Sequence, residues 1–498
     1  NKQSFRFYSS TALEQIKVLD LTRLVAGPLC TMILSDLGAK IIKVEVPGTG
    51  DESRNWPPYL NSDNKEMTCY FASLNRNKKS ICINFKSDDG IKVMCDLVEK
   101  CDVLVENFVP GKLDKLRLGY DQLKAKVPRL IYCSLTGFGN QGPYKFKPGL
   151  DVIAASVGGL WQITGPYGGE PCKPGVAMTD IATGLYAHGA ILAALYERNK
   201  TGKGQKIDCN LLSTQVAGLI NIGSNYLNLN IEGKRYGTAH ESIVPMQAFQ
   251  TSDGYITIAA ASNAQYTSLC KQLNVEELAV DERFKTNELR VKNRDILIEL
   301  LKPYFRKRTT AELMKILDGG SCPFGPVNTI EQVFNDKHIK EIDLVHETKT
   351  SKGTRVRMVG PPVVYSVSQN AVRSPPPYLG QHTREILTQE LKYPEPLIQK
   401  LYEEKEVRTV RLTLRKTKPA KQVKWSTETV DNEHLNRKKS KCCCIYEKPK
   451  NFGESSSESD DECENCFGHV ELRKKNKRPP DDSTSTSDDD DEDGEGNS

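Results

Sequence analysis

The chain has 498 residues, 38% of them hydrophobic and 27% charged, with a formal net charge of +5. That length exceeds one ordinary core and sets an expectation of two or three domains. The small net charge carries no nucleic-acid signal, and no apolar run is long enough to span a membrane. The 15 cysteines are not spaced like a secreted disulfide framework. Those ahead of the last hundred or so residues lie mostly in apolar segments, as at Cys82, Cys95 and Cys209, and read as small reduced core residues of an intracellular protein.

Asn1 to Leu13 holds Lys2, Arg6 and several serines, with no acid before Glu14, and is expected to be the end of a mitochondrial transit segment. Ile16–Asp20 then reads as a buried strand, Leu21–Pro28 as a loop, Leu29–Leu37 as a helix closed by Gly38, and Ala39–Val46 as a second buried strand. Further strands are expected at Ser80–Asn84, Val103–Glu106 and Leu130–Leu135. An amphipathic helix is expected at Asp88–Lys100, with short helices at Leu113–Leu116 and Tyr120–Lys126. This alternation predicts an open α/β sheet, with ligands bound at the carboxyl ends of the strands. The turn Leu24-Val25-Ala26-Gly27-Pro28, Asn107-Phe108 and Gly137-Phe138-Gly139 all fall there; the turn offers too few glycines for a dinucleotide fingerprint.

A Gly- and Pro-rich connection, Gly142–Gly175, leads to the stretch Gly175-Val176-Ala177-Met178-Thr179-Asp180 and a long helical pattern, Ile181 to about Asn199. As an N-cap, Asp180 accepts from amides of the first helical turn, and the helix dipole keeps it ionised. An ionised carboxylate beside amide donors is also a nucleophile suited to a thioester. Beyond it, Lys206–Asn210 reads as a strand, Ser242–Phe249 and Gly254–Ala260 as a strand pair, and Gln265–Leu317 as helical. Val356–Val364 with Ser374–Tyr378 reads as a return segment, and Thr383–Lys405 as a last helix broken near Pro394 and Pro396. From Glu406 the apolar density falls and runs of single-sign charge appear, so residues 406–498 are expected to be mostly disordered.

Six motifs stand in order: VLDLTRLVAGPLCTMILSDLGAKIIKVE, GDESR (Gly50–Arg54), NRNKKSI (Asn75–Ile81), VENFVPG (Val105–Gly111), the Asp180 segment, and RNKTGKGQKID (Arg198–Asp208). Together they resemble the family III CoA transferases, and within them most closely the mitochondrial branch acting on succinyl-CoA with glutarate or hydroxymethylglutarate. The resemblance implies an open parallel Rossmann-like sheet in a large domain (about 14–225 and 340–390) and a smaller α+β domain (about 226–339). It also implies an interlocked homodimer in the mitochondrial matrix, with no permanent cofactor and no metal.

The family's nucleophile falls on Asp180. Its CoA contacts fall on Leu24, Val25, Ala26, Ile83, Lys86, Asn107, Phe108, Lys115 and Leu116, with Lys115 standing where formyl-CoA transferase carries Arg. The family's racemase branch has a His before Asp. Here the stretch is Gly149-Leu150-Asp151, which lacks that base and favours transfer. A dicarboxylate substrate needs a cation for its distal carboxylate, and Arg54 and His240 are the candidates by position.

In the tail, Lys421-Gln422-Val423-Lys424-Trp425 matches the basic-x-Val-x-Phe/Trp docking pattern of protein phosphatase 1 regulators. With Cys442, Cys443 and Cys444 and the flanking segments, it resembles the protein phosphatase 1 inhibitor-3 family from about Val407 to Gly468. Cys463, Cys466 and His469 contain one zinc half-site without an obvious second. The tail alone implies a nuclear or cytosolic setting, so the chain reads as a fused product with a junction near Lys405.

Overall fold

The computed structural model describes residues 11–62 and 65–408. The transit-like residues 1–10 and the phosphatase-docking and cysteine motifs lie outside these described residues. Strands β1 (Lys17–Asp20), β2 (Lys40–Glu45), β3 (Lys78–Ile83), β4 (Val103–Glu106), β5 (Ile131–Thr136) and β6 (Lys206–Asn210) are parallel, in spatial order 3-2-1-4-5-6. This is a doubly wound α/β sheet whose order reverses between β1 and β4. Alternating side chains feed two cores. Val18, Ile41, Val103 and Ile131 face the helices Ala26–Asp36 and Met178–Thr201, while Leu19, Ile42, Leu104 and Tyr132 face the helix Asp88–Glu99 and the end of the chain.

The first helix begins at Ala26, three residues before the sequence expectation, because Pro28 lies in its first turn, where no intrahelical N–H is needed. The Gly- and Pro-rich connection holds a helix, Asp151–Val157, that composition hid. Strands β7 (Met246–Gln250), β8 (Tyr255–Ala259) and β9 (Phe324–Pro326) form a separate antiparallel sheet. With the helices Asn263–Leu273 and Arg294–Arg306 it makes a core of its own, running from Val244 to Cys322. A hairpin of β10 (Val345–Lys349) and β11 (Arg355–Val359) opens the return segment.

The return extends further than the sequence reading placed it. Ile386, Leu387, Ile398 and Leu401 all join the sheet core. A two-residue strand, β12 (Val407–Arg408), then pairs antiparallel with the edge strand β3. The Asn84 amide donates to the Glu406 carbonyl at 2.8 Å, and Val407 is fully buried. Residues 406–408 therefore belong to the fold and not to the tail, because they cover an otherwise open sheet edge. A chain ending at Lys405 is expected to unfold at lower denaturant than one ending at Arg408, by about 1.5–3 kcal/mol for the lost Val407 burial, as read by urea titration.

Candidate active site

The carboxyl end of β1, the second half of β2 and the loop after it, and the first residue of β3 carry charged side chains that are fully buried. Lys78 meets Asp20 at 3.1 Å and Lys43 meets Asp51 at 3.0 Å, with all four side chains at 0% exposure. Burial pushes the Asp20 carboxyl up, but Lys78, Lys43 and the hydroxyls of Thr22 and Thr31 outweigh it and hold it at about 2. Burial lowers Lys78 to about 8 against the pull of Asp20, so both groups are charged at neutral pH. The cluster shapes the loop after β1. Asp20 accepts from the Thr22 amide (2.9 Å), Lys43 donates to the Thr22 carbonyl (2.7 Å), and the Leu24 amide donates to Asp51 (3.1 Å). Leu24 is thereby held at φ +70°, in the left-handed region.

Two close backbone approaches bring the remaining parts together. A Cβ on Gly184 would come within 2.7 Å of the Ala26 carbonyl oxygen, so the helix Met178–Thr201 crosses the first helix at a point only glycine permits, one turn beyond Asp180. A Cβ on Gly137 would come within 2.4 Å of the Gly149 Cα, so the chain before the helix Asp151–Val157 lies directly on the loop after β5.

Asp180 sits where these contacts converge, and it lines two cavities. The smaller, of about 90 Å³, lies at the reversal between β1 and β4 and includes Leu24, Val25, Ala26, Asn107, Phe108 and Gly137. The larger, of about 930 Å³, runs along Leu29, Ile33, Tyr70, Asp151, Lys173 and Val363. The Asn107 side chain pins the wall between them, donating to the Arg23 carbonyl at 2.8 Å and accepting its amide at 3.1 Å.

The structure revises the expected state of Asp180. The helix starts at Met178 with Ala177 at its cap, so Asp180 is the third helical residue and not the N-cap. Its own amide donates to Asp151 Oδ1 at 3.0 Å. Burial, then the Asp151 charge, push its carboxyl up to about 7, so helix-end stabilisation of the anion does not prevail.

Leu24, Val25, Ala26, Asn107 and Phe108 all meet Asp180 at the small cavity. Ile83, Lys86, Lys115 and Leu116 line neither cavity. Ile83 is fully buried and paired to Val407, Leu116 packs against the sheet core, and Lys86 and Lys115 are exposed on the connections after β3 and β4. Arg54 is corrected as a substrate cation. Its guanidinium is buried, bonds Glu45 at 2.7 and 2.8 Å, and lies 3.6 Å from the Phe71 ring centroid. His240 lines neither cavity, its Nδ1 accepting the Ser242 amide at 3.0 Å. Sequence reasoning missed Lys145 and Lys147 on the small cavity and Lys173 and Tyr70 on the large one. The strand-end rule that found Gly137–Gly139 would have reached the two lysines by following the same loop a few residues further.

The doubly wound sheet thus presents a half-buried carboxylate at its reversal point, bordered by two cavities. CoA-transferase family III matches residues 13–383, and the chain belongs to this family of CoA-transferases. It is 48% identical to the succinyl-CoA:glutarate CoA-transferase of Mus musculus over 394 residues, covering 79% of this chain and 89% of that one. It is 37% identical to the succinate–glutarate CoA-transferase of Agrobacterium fabrum, covering 76% and 95%. A CAIB/BAIF family protein from Brucella suis superposes with a TM-score of 0.70 at 39% identity, over 77% of this chain and 100% of that one. A second family, protein phosphatase inhibitor, matches residues 409–463.

An Asp180 carboxyl held at about 7 rather than 3.8 favours the protonated form in the fold. That contribution is fully present below the unfolded value and is lost as pH rises through the folded one. Asp180→Asn is therefore expected to melt above the wild type at pH 8, with the gap closing toward about pH 4, as read by differential scanning calorimetry across pH.

Proposed function

We propose that this CoA-transferase moves CoA from succinyl-CoA to a dicarboxylic acid, glutarate or hydroxymethylglutarate, through an aspartyl-CoA thioester on Asp180. The observation that carries the reading is the position of Asp180 on both cavities. A nucleophile there can reach a thioester laid along the β1 and β4 loops while the departing acid occupies the larger space. The Asp180 carboxylate attacks the succinyl carbonyl, the C–S bond breaks, and CoA leaves as thiolate, giving a mixed anhydride. The thiolate then attacks the aspartyl carbonyl and expels succinate, leaving CoA on Asp180. The acceptor carboxylate attacks that thioester, and the same steps run in reverse to release the new acyl-CoA.

Leu24, Val25, Ala26, Asn107 and Phe108 form the CoA wall in this reading. Lys86 and Lys115 supply exposed cations for its phosphates, and Lys173 replaces Arg54 and His240 as the cation for a distal carboxylate. Leu150 stands directly before Asp151, so the position where the racemase branch carries its histidine base is apolar here.

We also read the working form as a homodimer in the mitochondrial matrix. The helix Ile220–Leu229 buries none of its residues and leaves Leu227 83% exposed, while Val364 beside the large cavity is 94% exposed. Apolar surface of that extent suits coverage by a second copy. The matrix assignment rests on the composition of residues 1–13.

Purified protein given succinyl-CoA and glutarate is expected to form glutaryl-CoA and a CoA adduct visible by intact-mass spectrometry. Asp180→Asn should lose both, with turnover down by at least about 1,000-fold. Transfer that survives the substitution would remove Asp180 as nucleophile.

The match of residues 409–463 favours a second, separate activity. We infer that the tail binds and inhibits protein phosphatase 1, with Lys421, Val423 and Trp425 docking as an added strand and Cys442, Cys443 and Cys444 making a further contact. Val423→Ala with Trp425→Ala is expected to weaken binding to the phosphatase catalytic subunit by at least about 100-fold in calorimetry, leaving CoA transfer unchanged.

A further inference from the structure

The reading above leaves unexplained the second carboxylate at the nucleophile. Asp151 opens the helix Asp151–Val157, lines the large cavity with Asp180, and accepts the Asp180 peptide N–H at 3.0 Å. The crossing of Gly137 and Gly149 delivers it there, two residues after Gly149.

The charged groups around this pair make their contacts with other atoms in this structure. Arg76 holds Asp36 at 2.6 Å, Arg23 pairs with Glu52 at 2.5 Å, and the Lys173 ammonium donates to the Pro174 carbonyl at 2.8 Å. Lys145 and Lys147 lie over the rings of Phe146 and Tyr144, at 5.3 and 4.0 Å from their centroids. His188 Nδ1 lies 3.0 Å from the Leu185 carbonyl of its own helix. Tyr70, on the helix Cys69–Leu74, faces both carboxylates, and burial followed by their charges raises its phenol further. Among the described residues no ion pair joins either Asp151 or Asp180 to a cation.

We propose that Asp151 is a positioning residue for CoA transfer: one oxygen anchors the first turn of the nucleophile helix, and its charge drives Asp180 toward its acylated forms. The inference rests on Asp180 being the nucleophile. When the Asp180 oxygen bonds to the thioester carbonyl carbon, the C–S electron pair leaves on sulfur, and the negative charge moves from Asp180 to the CoA thiolate. When that thiolate attacks the aspartyl carbonyl, the charge leaves with the free acid. In both acylated states Asp180 is neutral and its repulsion with Asp151 is gone. The free enzyme alone carries the two like charges side by side, so it is the state that Asp151 disfavours.

Asp151→Asn separates the two roles, since its side-chain oxygen still accepts the Asp180 amide while the charge is lost. Relative to wild type, the acid limb of kcat/KM is expected to move down by about one pH unit. The equilibrium fraction of enzyme carrying CoA at pH 7.5 should fall by about tenfold, one pKa unit being a factor of ten. Asp151→Glu keeps the charge and should retain both the limb and the adduct. An Asp151→Asn enzyme with a wild-type acid limb and wild-type adduct would overturn the proposal. So would Asp151→Glu behaving as Asp151→Asn does, since that points to shape alone. If Asp151→Asn does not fold, Asp151→Ser puts the same question through a neutral hydroxyl acceptor. A wild-type enzyme that transfers CoA but shows no adduct, with activity retained in Asp180→Asn, would instead remove the nucleophile reading and this inference with it.

Discussion

The site depends on charge buried where charge is costly. Asp20, Lys43, Asp51 and Lys78 are all fully enclosed around the carboxyl end of the first strand, with Glu45 and Arg54 beside them. Each ion left unpaired in such a place costs several kcal/mol, so each survives only because its partners are within hydrogen-bond reach. The cluster yields shape. It holds Leu24 in a left-handed conformation and presents the backbone from Arg23 to Ala26 as a fixed wall between two cavities. The charged residues inside the apolar strand KIIKVE, which break its hydrophobic pattern, are the ones that build this wall.

Asp180 is organised by the opposite economy. It is partly buried beside a like charge and so is held as a poor anion, which suits the acylation proposed for it. Two glycine contacts make this possible, because they let helix backbones approach more closely than any side chain allows. One sets Asp180 against the loop after β1, and the other brings in Asp151 from the far side.

Two family matches meet near the end of the described residues. Val407 closes the edge of β3 and completes the transferase sheet, and the phosphatase-inhibitor match begins at residue 409. The open edge strand is covered by the last residues of the enzyme itself. The fold therefore reaches at least Arg408, beyond the change in composition at Glu406.

Sequence alone determined the parallel sheet, the strand-end loops Leu24–Ala26 and Asn107–Phe108, the nucleophile candidate Asp180 and the transferase family. All of these are written in local patterns: apolar runs for buried strands, turn residues at their ends, and ordered motifs. Tertiary structure alone decided that Arg54 is spent on Glu45, that Ile83 lies under Val407, that Lys145, Lys147 and Lys173 border the cavities, and that Asp151 meets Asp180. Those facts turn on which distant side chains share a low-dielectric space and which backbones touch. A carboxylate's charge, like an arginine's availability, is a property of its neighbours, and 29 positions of chain separate Asp151 from Asp180.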